Sequence, residues 1–394
     1  MRITHSFLLI LPMIVVSYCS HSGNSDTGTT ITSQDTGPVT QFIATSGTNQ
    51  VSLAWVNPTQ ALQKVRIVRK TGSYSANESD GTLVYQGTAN SATDTGTTNY
   101  TEYFYSAFAV GNSGNVATPA KDKSASCPAT LTCPTGYVLA PANKAVGVYC
   151  QFCIAAYEMR NVSSVATSQA SGAAWSMSGQ SVAKTNCTSL GTGYHLMTNP
   201  ERLAIGRDIE GVASNWTGGS VGSGSISKGF AASTSRGDAW SNTQDATSSL
   251  ASCLYNTAAN TCASTGNAVY RRTLTLSNGS VLWDFIGNKA EWVDWIDNVA
   301  NVPVASSGTC DTNGTGCEFT SVTAGSTTPE SMWKPSSGYD STKGFGLYFK
   351  NTAGSPTTVG ALSGGYWDKG GLYNIEFIDV AFVGPQSGFR CAFV

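Results

Sequence analysis

The sequence predicts a multidomain chain: an all-β sandwich followed by a second, cysteine-bearing domain of different character. Three observations carry this. Between Val39 and Pro119 short apolar runs alternate with turn-rich segments at strand spacing. From Cys127 onward cysteines appear and aromatic residues become dense. The length, 394 residues, suits two or three domains of roughly 100–200 residues each.

Composition removes several function classes. The chain has 22 Lys+Arg against 24 Asp+Glu, only 12% charged residues, and no basic run. It therefore lacks the multi-phosphate footprint of a nucleic-acid binder. Of three histidines, His5 and His21 lie near the N-terminus and only His195 falls in the part expected to fold. Three-histidine zinc sites and His-Glu-x-x-His hydrolases are excluded. Eleven cysteines point to an oxidising compartment.

At the N-terminus, Arg2 precedes an apolar run from Phe7 to Val16. The run has the length of a signal-peptide core and is too short to span a bilayer. Residues 1–18 are read as a signal peptide. The run ends in Val16-Ser-Tyr-Cys19, which resembles a bacterial lipobox and implies a lipid on Cys19. Tyr18 stands where that pattern has a small residue, so an ordinary signal-peptidase cut is the alternative. Setting Cys19 aside leaves ten cysteines, enough for five disulfides. Residues 19–37, rich in Ser, Thr, Gly and Asp, cannot bury a core and are read as a flexible tether.

Residues 38–120 form the sandwich. Val51, Leu53 and Trp55, then Val65 and Ile67, Leu83 and Tyr85, and Tyr103 and Tyr105 alternate. Thr71 to Gly81 and Gly87 to Thr98 supply turns between them. Val51-Ser-Leu-Ala-Trp-Val-Asn-Pro58 and Tyr103-Phe-Tyr-Ser-Ala-Phe-Ala-Val110, followed by Gly111-Asn-Ser-Gly114, resemble a fibronectin type III domain. The resemblance implies that Trp55 packs the core rather than a ligand. With no cysteine, histidine or carboxylate cluster, this domain reads as a spacer.

A boundary near Lys121 to Ser126 opens the second domain, residues 127–394. Cys127, Cys133, Cys150 and Cys153 have the count of a zinc knot, and Cys150-x-x-Cys153 that of a redox pair. In an exported chain disulfides are favoured over both. Cys253 with Cys262, and Cys310 with Cys317, are close enough to staple loops. Ser181 to Leu190 reads as a short helix stopped by Gly191. Thr198-Asn-Pro-Glu201 is a capping box opening a second helix through Leu203, Ile209 and Val212.

Trp283-Asp-Phe-Ile-Gly-Asn-Lys-Ala-Glu-Trp292, then Gly364-Gly-Tyr-Trp367, then Gly388-Phe-Arg-Cys391 resemble the sulfatase-modifying, formylglycine-generating enzyme family in order and spacing. The resemblance runs from roughly Cys133 to Val394 and includes Leu196-Met-Thr-Asn-Pro-Glu201. It implies an α+β, C-type-lectin-like fold and a Cys187–Cys391 disulfide. It does not carry the family's oxidation chemistry, because the interval Tyr366 to Ser387, where the family keeps its copper-binding thiols, holds no cysteine. It further implies one cofactor, a structural Ca²⁺ bound by Asp284, the carbonyls of Gly287 and Lys289, and Glu291, within the six to eight oxygens calcium takes. Ala290 replaces a family Trp beside that site. The alternative is an ordinary Asp turn with an exposed Glu.

Within the same resemblance, the stretch from Gly364 to Gly384 closing in Gly388-Phe-Arg-Cys-Ala-Phe-Val394 is similar to the variable region of retroelement-diversified surface proteins. Their lectin-like fold displays mutagenised positions on one open face. That implies a ligand-binding set of Tyr366, Trp367, Asp368, Lys369, Tyr373, Asn374, Glu376 and Asp379, residue types that give rigid aromatic contact and adaptable hydrogen bonds. Alternatively Phe377, Val380 and Phe382 belong to a core strand and the rest is merely exposed. The leading expectation is a non-catalytic binding lipoprotein of the bacterial cell envelope, anchored through its lipid and contacting a protein or glycan, with no nucleic acid. Two alternatives stand beside it. One is an enzyme of the same fold with different chemistry, built on His195 or on Asp294 and Asp297 near Glu291; the other is an invariant structural envelope protein.

Overall fold

A computed structural model of the chain describes residues 35–176, 179–229, 253–256, 261–265, 271–305, 310, 316–325, 333–335, 337–351, 354–365, 370–384 and 386–394. The expectations for the signal peptide, Cys19, most of the tether, and Tyr366, Trp367, Asp368 and Lys369 fall outside the described residues.

Seven strands make the first domain: β1 (Thr40–Gly47), β2 (Gln50–Val56), β3 (Leu62–Lys70), β4 (Thr82–Gly87), β5 (Ser91–Asp94), β6 (Tyr103–Gly111) and β7 (Ala120–Ser124). They form a three-stranded sheet in the order β1-β2-β5 and a four-stranded sheet in the order β4-β3-β6-β7, all antiparallel. Alternation drives this, since Val51, Leu53 and Trp55 of β2 point inward while their neighbours are exposed. Trp55 is 4% exposed, packs on Tyr85 at 5.1 Å between ring centroids, and satisfies its indole N–H on Asn57 Oδ1 at 2.8 Å. The sandwich continues past residue 120. Lys121, Asp122 and Lys123 read as linker, but they lie in β7 paired with β6, where Asp122 accepts from Ala44 N–H of β1 at 2.7 Å.

The second domain begins with β8 (Tyr137–Ala140), β9 (Phe152–Ala155), the hairpin β10 (Met159–Val162) and β11 (Val165–Ser168), helix α1 (Gln180–Thr188), β12 (Tyr194–Leu196) and helix α2 (Asn199–Glu210). Then follow β13 (Cys253–Asn256), β14 (Thr261–Thr265), β15 (Thr273–Thr275), β16 (Val281–Trp283), β17 (Ala290–Asn298), β18 (Val304–Ala305), β19 (Val322–Thr323), β20 (Tyr348–Lys350), β21 (Thr358–Ser363), β22 (Ile375–Asp379), β23 (Ser387–Phe389) and β24 (Cys391–Phe393). The main sheets run β12-β24-β9-β8 and β20-β22-β21-β17-β23. Thr198 caps α2 as a reciprocal box with Glu201, and the helix stops at Glu210, before Gly211, rather than reaching Val212.

The five-stranded sheet is covered on both faces. Phe377, Ile375, Ala361 and Val293 belong to one apolar cluster, and Ile378, Leu362 and Trp292 to a second. Among the described residues, disulfides join Cys127 to Cys150, Cys133 to Cys153, Cys187 to Cys391 and Cys310 to Cys317. Cys187–Cys391 ties α1 to the last strand. Cys253 and Cys262 lie on paired strands, with Cys262 opposite Tyr255. Disulfides of this number are the mark of an extracellular or secreted chain, and no helix among the described residues is long and apolar enough to cross a membrane.

Candidate functional site

A cleft of about 540 Å³ opens where the two domains meet, lined by Tyr100, Glu102 and Ala125 of the sandwich and by Val148, Tyr149, Phe152, His195, Thr198, Glu201 and Asp294 of the second domain. Polar contacts brace the junction. The Tyr149 hydroxyl donates to Glu102 Oε1 at 2.7 Å, and Lys144 Nζ donates to the Ala44 carbonyl at 2.6 Å. The Cys127–Cys150 bond lies beside this junction, where Cys127 N–H donates to the Gly47 carbonyl at 2.9 Å. Burial and the charge of Glu102 push the Tyr149 phenol far above its ordinary pKa, so it stays a donor.

His195 enters the cleft from β12, which pairs with β24. Its Nε2 is 2.8 Å from Glu201 Oε1 and its Nδ1 is 3.1 Å from the Gly193 carbonyl. Both partners are acceptors, an arrangement that favours the doubly protonated ring. Burial alone lowers the His195 pKa, but the Glu201 hydrogen bond and charge, with the Gly193 carbonyl and the Asp294 charge, hold it above the usual imidazole value. Both nitrogens are engaged by these acceptors. The carboxylates proposed from sequence do not converge either: Asp294 pairs with Lys184 at 2.9 Å, Asp297 accepts from Asn298 N–H and Asn301, and Glu291 is buried elsewhere.

Glu291 belongs to a charge network beneath the sheet. Arg390, fully buried, donates to both Glu291 oxygens, to the Ala155 carbonyl at 2.7 Å and to the Trp283 carbonyl at 2.9 Å. Arg272 makes a two-pronged pair with Asp284. Glu158 accepts from the Asn288 amide and from Lys289 N–H. Burial, then the charges of Asp284 and Glu291, push the Glu158 carboxyl up. The residues do not fit the expected calcium ion as they are arranged. Every oxygen of Asp284 and Glu291 accepts from a guanidinium, which supplies the positive charge a hard cation would bring, and the buried Lys289 side chain donates to Ser176 Oγ at 3.0 Å. No group of three or more metal-ligating side chains is found among the described residues.

The expected display face is corrected in part. Tyr373, Asn374 and Glu376 are buried, at 0%, 4% and 8% exposure. Tyr373 donates to the Glu210 carboxylate and lies so close to α2 that a Cβ on Gly206 would come within 2.9 Å of its ring. Asn374 Oδ1 accepts from Leu347 N–H at 3.1 Å. Glu376 sits on β22, an internal strand paired on both sides in the doubly covered sheet. Asp379, at the end of that strand, is half-buried. Alternating polar residues signal an open face only where one side of a sheet meets water.

The cleft was not legible in the sequence. Tyr100, Glu102 and Tyr149 are separated from His195 along the chain, and only the docking of two domains assembles them. One signal was available for the network, an arginine in the otherwise apolar terminal segment Gly388-Phe-Arg-Cys-Ala-Phe-Val394, because a buried arginine demands a carboxylate partner.

No protein-family model matches the chain, and no curated protein matches it. Similar solved structures are fibronectin type III-like domains. An Fn3-like protein from Clostridium thermocellum is 23% identical, with a TM-score of 0.20 over 24% of this chain and 95% of that one. A human fibronectin type III domain is 15% identical, with a TM-score of 0.21 over 27% and 85% of the two chains. A fourth fibronectin type III domain of a human protein is 12% identical, with a TM-score of 0.21 over 29% and 96%. These likenesses cover about a quarter of the chain.

Proposed function

We propose that the protein is an exported, non-catalytic ligand-binding lipoprotein of the bacterial cell surface, anchored through Cys19. Its sandwich spaces a C-type-lectin-like, formylglycine-generating-enzyme-like domain from the membrane. The observation that carries the binding reading is the cleft of about 540 Å³ between the two domains, since clefts of this size at domain junctions are preferred ligand sites. The double commitment of His195 supports binding over an enzyme built on it. Calcium is not part of this proposal.

The test uses the chain from residue 19 onward, fluorescently labelled and titrated on an array of glycans and on isolated bacterial envelope proteins. Saturable binding to a member of either set is expected. Absence of saturable binding to both overturns the reading. Palmitate labelling of the exported chain, lost in Cys19→Ala, checks the anchor. The retroelement reading retains Tyr366, Trp367, Asp368, Lys369 and Asp379. It requires a nearby imperfect DNA repeat of the last coding stretch that differs at adenines, beside a reverse transcriptase.

A further inference from the structure

The junction cleft has a chemical character that narrows its ligand. Each side-chain carboxylate in its wall has one basic partner: Glu102 has Lys123 at 2.8 Å, Glu201 has His195 at 2.8 Å and Asp294 has Lys184 at 2.9 Å. An acidic ligand therefore finds no unpaired side-chain cation among the described residues of the wall. What remains are hydrogen-bond acceptors. Glu102 Oε1 takes both the Lys123 ammonium and the Tyr149 hydroxyl, while its Oε2 accepts from none of the described residues. Asp294 is held by a partly exposed lysine alone, in a pair that water and ligand hydroxyls readily share.

Tyr100 and Tyr149 supply the apolar part. Both line the large cleft and also a smaller hollow of about 300 Å³ beside it. Tyr100 has φ +62°, a left-handed conformation that is a genuine outlier for a bulky side chain. Its backbone is held there by a hydrogen bond from its N–H to the Ser126 carbonyl at 2.9 Å. Such strain concentrates at binding sites, and here it carries an aromatic ring into a ligand-sized space. A ligand that matches aromatic faces and carboxylate acceptors, with no free cation to hold an acid, is a polyhydroxylated ring with an apolar C–H face.

We propose that the cleft takes a short neutral glycan, its rings laid against Tyr100 and Tyr149 and its hydroxyls donated to Glu102 and Asp294. This deepens the binding reading above and rests on it. The ligand is a neutral sugar rather than an acidic one because the lining offers carboxylate acceptors and no unpaired side-chain cation.

The experiment is calorimetric titration of the chain from residue 19 onward with maltotriose, cellotriose and N-acetylated chitotriose. Trigalacturonate and de-acetylated chitotriose serve as acidic and basic counterparts. At least one neutral trisaccharide is expected to bind saturably, and tighter than both charged ones. Tyr100→Asn is the informative variant, because asparagine tolerates the left-handed backbone. It removes the ring while keeping or raising the melting temperature, and is expected to weaken binding at least tenfold. Glu102→Gln, which leaves the shape intact, is expected to weaken it severalfold. The proposal is overturned if no neutral trisaccharide binds, if a charged one binds tighter, or if Tyr100→Asn leaves affinity unchanged. In each of these cases saturable binding in the wider screen still sustains the broader binding function.

Discussion

Arg390 and Glu291 face each other inside the second domain, the guanidinium donating to both carboxylate oxygens with neither side chain more than 2% exposed. Breaking such a pair leaves a bare charge in the core, which costs about 3–5 kcal/mol. Arg390→Met is expected to lose that much in denaturant unfolding. The double variant Arg390→Met/Glu291→Leu is expected to recover most of it, since neither charge remains. A double variant no better than the single one would show that the bonds to the Ala155 and Trp283 carbonyls carry the stability instead.

The same network governs the response to chelator. Asp284 and Glu291 are neutralised by Arg272 and Arg390, so EDTA is expected to leave the melting temperature unchanged. A fall of several degrees, reversed by added calcium, would favour the ligand set that the family resemblance implies.

His195 and Glu201 set a pH dependence. The folded-state pKa of His195 is raised above the ordinary value of about 6.5. The pair's stabilisation is therefore complete below that value and is lost as pH rises through the higher folded value. Glu201→Gln keeps a capping-box residue but removes the charge. The melting-temperature difference between wild type and this variant is expected to be largest near pH 6 and smallest near pH 9. A difference independent of pH would mean that the pair does not titrate as described, even with Asp294 adding its field.

Tyr373 distinguishes a core position from a displayed one. With its ring against α2 and Phe345, Tyr373→Ala is expected to cost about 3–5 kcal/mol, the usual range for deleting a buried aromatic. A surface tyrosine would change stability by a few tenths and affect only binding. Differential scanning calorimetry separates the two.

The disulfides differ in leverage. Cys187–Cys391 closes a sequence separation of 204 residues and Cys310–Cys317 one of 7. Chain-entropy reasoning assigns about 5 kcal/mol to the first and about half that to the second. The alanine pair at 187 and 391 is expected to lower the unfolding midpoint more than the pair at 310 and 317. Equal losses would show that native-state strain or residual structure outweighs loop closure.

Patterns local in the chain were legible without coordinates. Alternation places Val51, Leu53 and Trp55 in one buried row, and Thr198 with Glu201 announces the start of α2, because strand faces and helix caps are decided by neighbours a few residues away. The tertiary structure alone decided which polar residues are inside. Tyr373, Asn374 and Glu376 look like a display surface in sequence, yet they lie in a sheet covered on both faces, and a single strand carries no record of what packs above and below it. Asp284 and Glu291 look like cation ligands until Arg272 and Arg390 arrive from residues 12 and 99 positions away. The cleft exists only because Tyr100 and Glu102 of one domain meet Tyr149, His195 and Asp294 of the other, a juxtaposition that docking creates and no local periodicity encodes.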